Sequence, residues 1–249
     1  MVKFIYPLPA WSSHLRGARM PQPRRRIERS AETRRRILDA SLELFLENGY
    51  EKTTTRQITQ KAGILNGSLY NLFRSKDDIF SELVMTGFED SLRESERYLP
   101  EGTSLVASMV FPLGLLIHAS SRSRRVAELL ATAHRVYEIN RRLLDTLSEW
   151  ILERDAGHEL PPDSPELRLK VRACTGALGT VIQAFEKEPG TIDPQEALEV
   201  VANIYVDAFG LEFDDLEGRL REVYRVVSTE DIVICGIHVN SDLAPMANP

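Results

Sequence analysis

Cysteine is scarce in this chain. Cys174 and Cys235 are the only two in 249 residues, and neither belongs to a CxxC or Cys/His cluster. A disulfide framework or a metal site is therefore not expected, and a reducing cytoplasm is the natural compartment. Cys174 lies in an apolar helical pattern, as a small core residue would. Long apolar runs are also lacking. The longest, Leu105 to Ala119, is broken by Pro112 and His118 and is shorter than the roughly 20 residues that span a bilayer. Pro7 and Pro9 interrupt the only apolar stretch near the start, so neither a membrane association nor a secretory signal is expected. No GxSxG, HExxH, P-loop or Rossmann fingerprint occurs, and no carboxylate pair is backed by a base. The sequence does not read as an enzyme and calls for no cofactor. Strand-like alternation is missing, helical spacing runs almost throughout, and the expected fold class is all-α.

The net charge of −6 hides an asymmetry. Residues 1–76 hold 15 Lys and Arg against 6 Asp and Glu, a net +9, which leaves −15 on residues 77–249. A basic head on an acidic body is the distribution of a nucleic-acid binder whose second half does something else. Residues 1–29 read as a flexible basic arm, with Pro7, Pro9, Pro21 and Pro23 among six arginines. Such an arm suits the minor groove beside a main site, although a disordered tail with weak electrostatic affinity is the more ordinary reading. Met20, just before the arginine cluster, is a candidate translation start. Arg34, Arg35 and Arg36 fall in the first turns of a helix predicted over Ala31–Asn48. Positive charge there opposes the helix dipole, so a nearby phosphate would explain it.

The most informative stretch is Thr54 to Lys76. Thr54 and Gln57 form a capping box at the start of a helix over Thr55–Ala62, and Gly63 suits its C-terminus. Asn66 is the expected cap of a second helix over Gly67–Phe73, with Leu69, Leu72 and Phe73 turned inward. Two short helices joined by a Gly-containing turn make a helix-turn-helix. About seven residues of helix measure roughly 10 Å, close to the ~12 Å width of the DNA major groove. Asn66, Gly67, Ser68, Tyr70 and Asn71 form the outward face, with no acidic residue among them. Hydroxyls and a lysine suit phosphate oxygens, which makes Thr55, Ser68, Tyr70 and Lys76 the phosphate-contact candidates. Arg56, Asn66 and Asn71 are the base-edge candidates. A purely structural helical hairpin would show the same spacing.

An ordered series of residues narrows this choice: Thr33, Arg34, Ile37, Leu38, Ala40, Leu44, Phe45, Gly49 and Tyr50, then Thr53, Thr54, Ile58, Ala62, Gly63, Ser68, Leu69, Tyr70, Phe73, Ser75 and Lys76. It resembles the DNA-binding domain of the TetR family of transcriptional regulators, over less than a fifth of the chain. Two positions depart from it. Leu65 stands where the family usually has a Ser or Thr cap, and Leu72 where His is frequent. The resemblance implies a three-helix DNA-binding domain at the N-terminus, followed by a helical ligand-binding and dimerisation domain. It also implies a homodimer on a palindromic operator in double-stranded DNA, and a repressor released by a small lipophilic effector. An adaptor controlled by a protein partner, with no small-molecule pocket, is the alternative.

The expected divisions are the arm at 1–29, the reading head at 30–76, the helical body at 77–227 and a loose tail at 228–249. The helix from Ser75 to Leu99 joins head to body. Ser104–Ser120 follows, then Arg124–Ala156 as one helix or two with a break near Thr132, then Glu166–Lys187, Pro194–Gly210 and Phe213–Val227. The family pattern places dimerisation on the two long helices of 166–210. There the small face at Ala173, Gly176, Ala177 and Gly179 and the stripe at Ala197, Val201 and Tyr205 are the candidates, although both stripes also suit packing within one subunit. Phe111, Leu115, His118, His134, Tyr137 and Trp150 are the candidate effector-pocket residues; an aromatic stripe of this spacing also marks an ordinary core.

Overall fold

The computed structural model describes residues 22–98, 105–154, 164–212 and 214–243. The head is built from α1 (Gln22–Asn48), α2 (Thr55–Ala62) and α3 (Asn66–Tyr70). Helix α4 (Lys76–Tyr98) leads into the body, which comprises α5 (Leu105–Arg122), α6 (Arg124–Arg135), α7 (Tyr137–Arg154), α8 (Pro165–Lys187), α9 (Pro194–Phe209) and α10 (Leu216–Thr229). A small antiparallel hairpin follows, β1 (Val233–Ile234) paired with β2 (Ile237–His238).

Local chemistry explains most boundaries. At α2 both halves of the Thr54–Gln57 capping box form, and Gly63 closes the helix at φ 63°. The start of α4 is held by Ser75 Oγ, which accepts from the Asp78 N–H, while the Asp78 carboxylate accepts from the Arg74 N–H. Ser123, Ser164, Asp193 and Asp215 each cap a body helix through a side-chain oxygen, and such caps contribute about 1 kcal/mol apiece. The segment 124–154 is two helices. They break at Val136, whose extended backbone (ψ 108°) interrupts the ladder four residues after the expected point.

Four expectations are corrected. The basic arm is helical from Gln22 onward, because Pro23 falls in the first turn, where its missing N–H costs nothing; residues 1–21 lie outside the described residues. Arg34 to Arg36 therefore sit mid-helix, and Arg34 and Arg36 serve the head itself. Arg34 pairs with Glu82 of α4 and lies 4.5 Å over the Phe73 ring, while Arg36 donates to the Ala62 and Gly63 carbonyls at the end of α2. Asn66 is the first residue of α3 and not its cap; the cap position is Leu65, which makes no side-chain capping bond. Helix α3 ends at Tyr70, three residues before the expected Phe73, so it is five residues long and closes in a turn. The fourth correction concerns the tail, which is ordered through Leu243. Ile232, Val239 and Leu243 are buried. The Arg122 guanidinium donates to the Asn240 and Leu243 carbonyls, and His118 Nε2 lies 2.7 Å from Asn240 Oδ1. Two-residue strands are too short to carry a period, so only these long-range partners reveal the order. The expected helix start at Phe213, the stop at Leu99 and most of the loop before Pro165 fall outside the described residues.

Two cores meet at α4 and α6. The head core gathers Ile37, Phe45, Ile58, Leu69 and Ile79, and takes in Leu129 and Ala133 of α6. The body core runs along α5, α8 and α9, with Leu115, Ile117, Val171, Cys174, Ile182, Leu198 and Val201. Helix α6 approaches α8 closely because Gly179 has no side chain; a Cβ there would fall 2.9 Å from His134 Cγ. Burial at this junction lowers the His134 pKa to about 4.

The unfolded chain therefore binds a proton at His134 between pH 6.5 and 4 that the folded chain does not, and stability falls as pH drops through that window. The expected contribution to the loss between pH 7 and 5 is about 2 kcal/mol. Denaturant unfolding of wild type and His134→Leu at both pH values checks this: the wild type should lose that much more than the variant.

Candidate nucleic-acid interface

The head presents α3 at its surface with α2 behind it. Leu69 and Phe73 face inward and are almost completely buried, so Asn66, Gly67, Tyr70 and Asn71 are turned to solvent. Ser68 is half-buried. The Thr55 hydroxyl lies 3.4 Å from the Tyr70 hydroxyl, which joins the front of α2 to the end of α3. Tyr70 is 56% exposed, so its ring is not a core element. Arg56 is exposed beside Thr55. The side-chain oxygen Oδ1 of Asn66 accepts a 2.8 Å hydrogen bond from Thr59 Oγ1, which ties the start of α3 to α2. The structure thus brings Thr55, Arg56, Asn66, Gly67, Ser68, Tyr70 and Asn71 to the surface of α2 and α3, and none of these seven side chains is acidic.

Lys76 is held differently. Its ammonium donates to the Tyr50 carbonyl at 2.8 Å and sits 4.1 Å above the Tyr50 ring. It braces the junction of head and α4, with its remaining N–H donors available at the edge of the surface. Tyr50 in turn donates to the Asp77 carboxylate. Sequence reasoning passed over two residues. Leu65 is 79% exposed, and Arg74 is exposed just after Phe73. Arg74 was legible as a basic residue at the end of the motif; Leu65 registered only as a missing cap.

Behind the head lies a cavity of about 190 Å³. Its walls come from α1 (Leu42, Phe45, Leu46), α4 (Phe80, Leu83, Phe88), α5 (Leu113, Leu116), α6 (Leu130, Ala133), α7 (Leu147) and the C-terminal hairpin (Ile234, Cys235, Ile237). Among the described lining residues there is no Asp, Glu, Lys or Arg. The polar groups present are neutral near pH 7. Burial holds His134 unprotonated, and the Cys235 thiol is pushed up to about 12, first by burial and then by Asp90. Thr175 and Tyr205 share a hydroxyl contact at 3.4 Å. Of the six expected pocket residues, Leu115, His134 and Trp150 line this cavity. The other three do not. Phe111 is buried against Tyr98 in a stack, His118 is engaged with Asn240, and Tyr137 is 68% exposed at the start of α7. Helical spacing gives a residue's angle about its own axis, not which neighbour that angle meets.

The expected dimer stripes divide in the same way. Ala197, Val201 and Tyr205 are buried within the subunit, and Gly179 is covered by His134. Ala173 and Gly176 are exposed and Ala177 is half-buried. The outward face of α9 instead carries Val200, 59% exposed, and Ile204, 39% exposed. Among the described residues no group of side chains could hold a metal ion, and no helix is long and apolar enough to cross a membrane.

The sequence model for "Bacterial regulatory proteins, tetR family" matches residues 37–83, which are the helix-turn-helix and its supports. The HTH-type transcriptional regulator UidR of Escherichia coli K12 is 30% identical over 139 residues, covering 53% of this chain and 70% of UidR. Among solved structures, RolR bound to resorcinol superposes with a TM-score of 0.58 at 18% identity, over 82% of this chain and 97% of RolR. The repressor FadR of Thermus thermophilus, in complex with lauroyl-CoA, gives 0.55 at 21%, over 70% of this chain and 94% of FadR. These two similarities speak to the fold, with the head and the helical body in the same arrangement. The likeness to UidR runs well past the head, and on that extent the chain belongs to the TetR family of DNA-binding transcriptional regulators.

Proposed function

We propose that this protein is a homodimeric repressor which binds a palindromic operator through α2 and α3 and leaves it when an uncharged apolar molecule fills the cavity. One observation carries the reading: Phe45 and Phe80 belong both to the core of the reading head and to the wall of the cavity. A ligand that repacks those rings alters the seat of α3, and operator affinity shifts by the difference in ligand affinity between the two conformations. The cytoplasm is the compartment this role requires. RolR and FadR are described with resorcinol and lauroyl-CoA respectively. The absence of any cationic residue among the described lining residues supports a neutral ligand here, because an anion buried without a partner is strongly disfavoured. The cavity itself argues for a small-molecule signal over a protein partner.

Thr55, Ser68, Tyr70 and Lys76 are assigned to phosphates, and Arg56, Asn66 and Asn71 to base edges, with Gly67 allowing close approach. A single helix-turn-helix binds weakly, and two of them one DNA turn apart, ~34–36 Å, read a palindrome. For the dimer we assign the exposed line Leu169, Ala173, Gly176 and Thr180 on α8, together with Val200 and Ile204 on α9. Its spacing of four, three and four residues keeps the α8 line on one helical face.

Purified protein retained on sheared genomic DNA should enrich a palindromic motif, and Arg56→Ala, Tyr70→Ala should lose it while melting normally, since both side chains are exposed. Enrichment without a motif would leave only non-specific attraction to the basic head. Val200→Glu, Ile204→Glu should be monomeric by light scattering, with operator affinity reduced roughly a hundred-fold through lost bivalency; a persistent dimer would move the interface elsewhere. In thermal melts, N-phenyl-1-naphthylamine at a hundred times its Kd should stabilise the protein by about 2.7 kcal/mol and weaken operator binding. Its 8-sulfonate should do neither. Equal stabilisation by the sulfonate would refute the neutral-ligand assignment.

A further inference from the structure

Leu65 breaks a local rule. It occupies the cap position of α3 in extended backbone, φ −79° and ψ 148°, and supplies no oxygen to the helix start. Ser, Thr, Asp or Asn would supply that oxygen and stabilise the start, and α2, immediately before it, has a complete capping box. The side chain gains no burial in exchange, since it is 79% exposed. A residue that gives up local stability without a packing return inside its own chain marks a functional position.

The position is specific. Leu65 and Tyr70 are exposed large side chains at the two ends of the short reading helix; between them lie the polar or small residues Asn66, Gly67 and Ser68 and the inward-facing Leu69. In the major groove, the apolar group that base pairs offer to a side chain is the C5 methyl of thymine. Asn66, the next residue, is exposed and its side-chain oxygen accepts from Thr59, so a hydrogen-bonding and an apolar side chain stand side by side.

We propose that Leu65 is a specificity residue that packs on the methyl group of one thymine in each operator half-site. This rests on the operator reading above. Deoxyuridine keeps the hydrogen-bonding edge of thymidine and lacks only that methyl. The operator selected by the wild type is therefore synthesised with each thymine replaced in turn, in both half-sites, and its affinity measured for wild type and Leu65→Ser. The serine variant restores the cap and should melt at least as high as the wild type. Losing one buried methyl contact per half-site corresponds to about a four-fold weaker Kd for each. The wild type should show that loss at one thymine position, and Leu65→Ser should bind the thymine and uracil duplexes there equally. Uracil tolerated at every position by the wild type, or the same losses in both proteins, would overturn the assignment. Failure of the wild type to select any motif would remove the operator reading and this assignment with it.

Discussion

The packing of three aromatic rings holds this molecule to one plan. Phe45 near the end of α1, Tyr50 in the following turn and Phe80 in the first turns of α4 meet with centroids 4.5 to 5.7 Å apart. Lys76 lies over the Tyr50 ring and donates to its carbonyl, while Asp77 accepts from its hydroxyl. That cluster fixes where α4 leaves the head, and α4 carries the rest of the chain. Dense packing has few alternative arrangements. Phe45 and Phe80 also form part of the cavity wall, so the cluster that seats α4 borders the cavity directly.

Electrostatics follow from the same geometry. Residues 22–76 hold 12 Lys and Arg against 6 Asp and Glu, yet two of the arginines are engaged internally. Arg34 is committed to Glu82 and the Phe73 ring, and Arg36 to the carbonyls that end α2. Lys61 pairs with Glu43 and Glu47 of α1. These contacts hold the short helices in place, which a head this small needs because its core is limited. On the face proposed to meet DNA, Arg56 is exposed beside uncharged polar groups. Long-range attraction and base reading are thus assigned to different residues.

The body separates its surfaces by charge. The cavity is apolar with neutral polar groups among the described residues, and the acidic excess lies outside it. The C-terminal hairpin closes one wall and is tied to α4 through the Cys235 N–H, which donates to the Asp90 carboxylate at 2.9 Å. The helix that links head and body is therefore held from both the aromatic cluster and the hairpin.

By itself the sequence determined the helical class, the capping box at Thr54 and Gln57, the Gly63 turn, the inward stripe of Leu69 and Phe73, and the split between a basic head and an acidic body. These are set by neighbours within a few residues, where backbone preference and periodicity act directly. Tertiary structure alone decided the rest. It turned Ala197, Val201 and Tyr205 inward and left Val200 and Ile204 outside, because each helix has two apolar faces and only its neighbours choose between them. It selected Leu115, His134 and Trp150 for the cavity over Phe111, His118 and Tyr137. It ordered the tail through Arg122, His118 and Asn240, partners about 120 residues apart that no local period could announce.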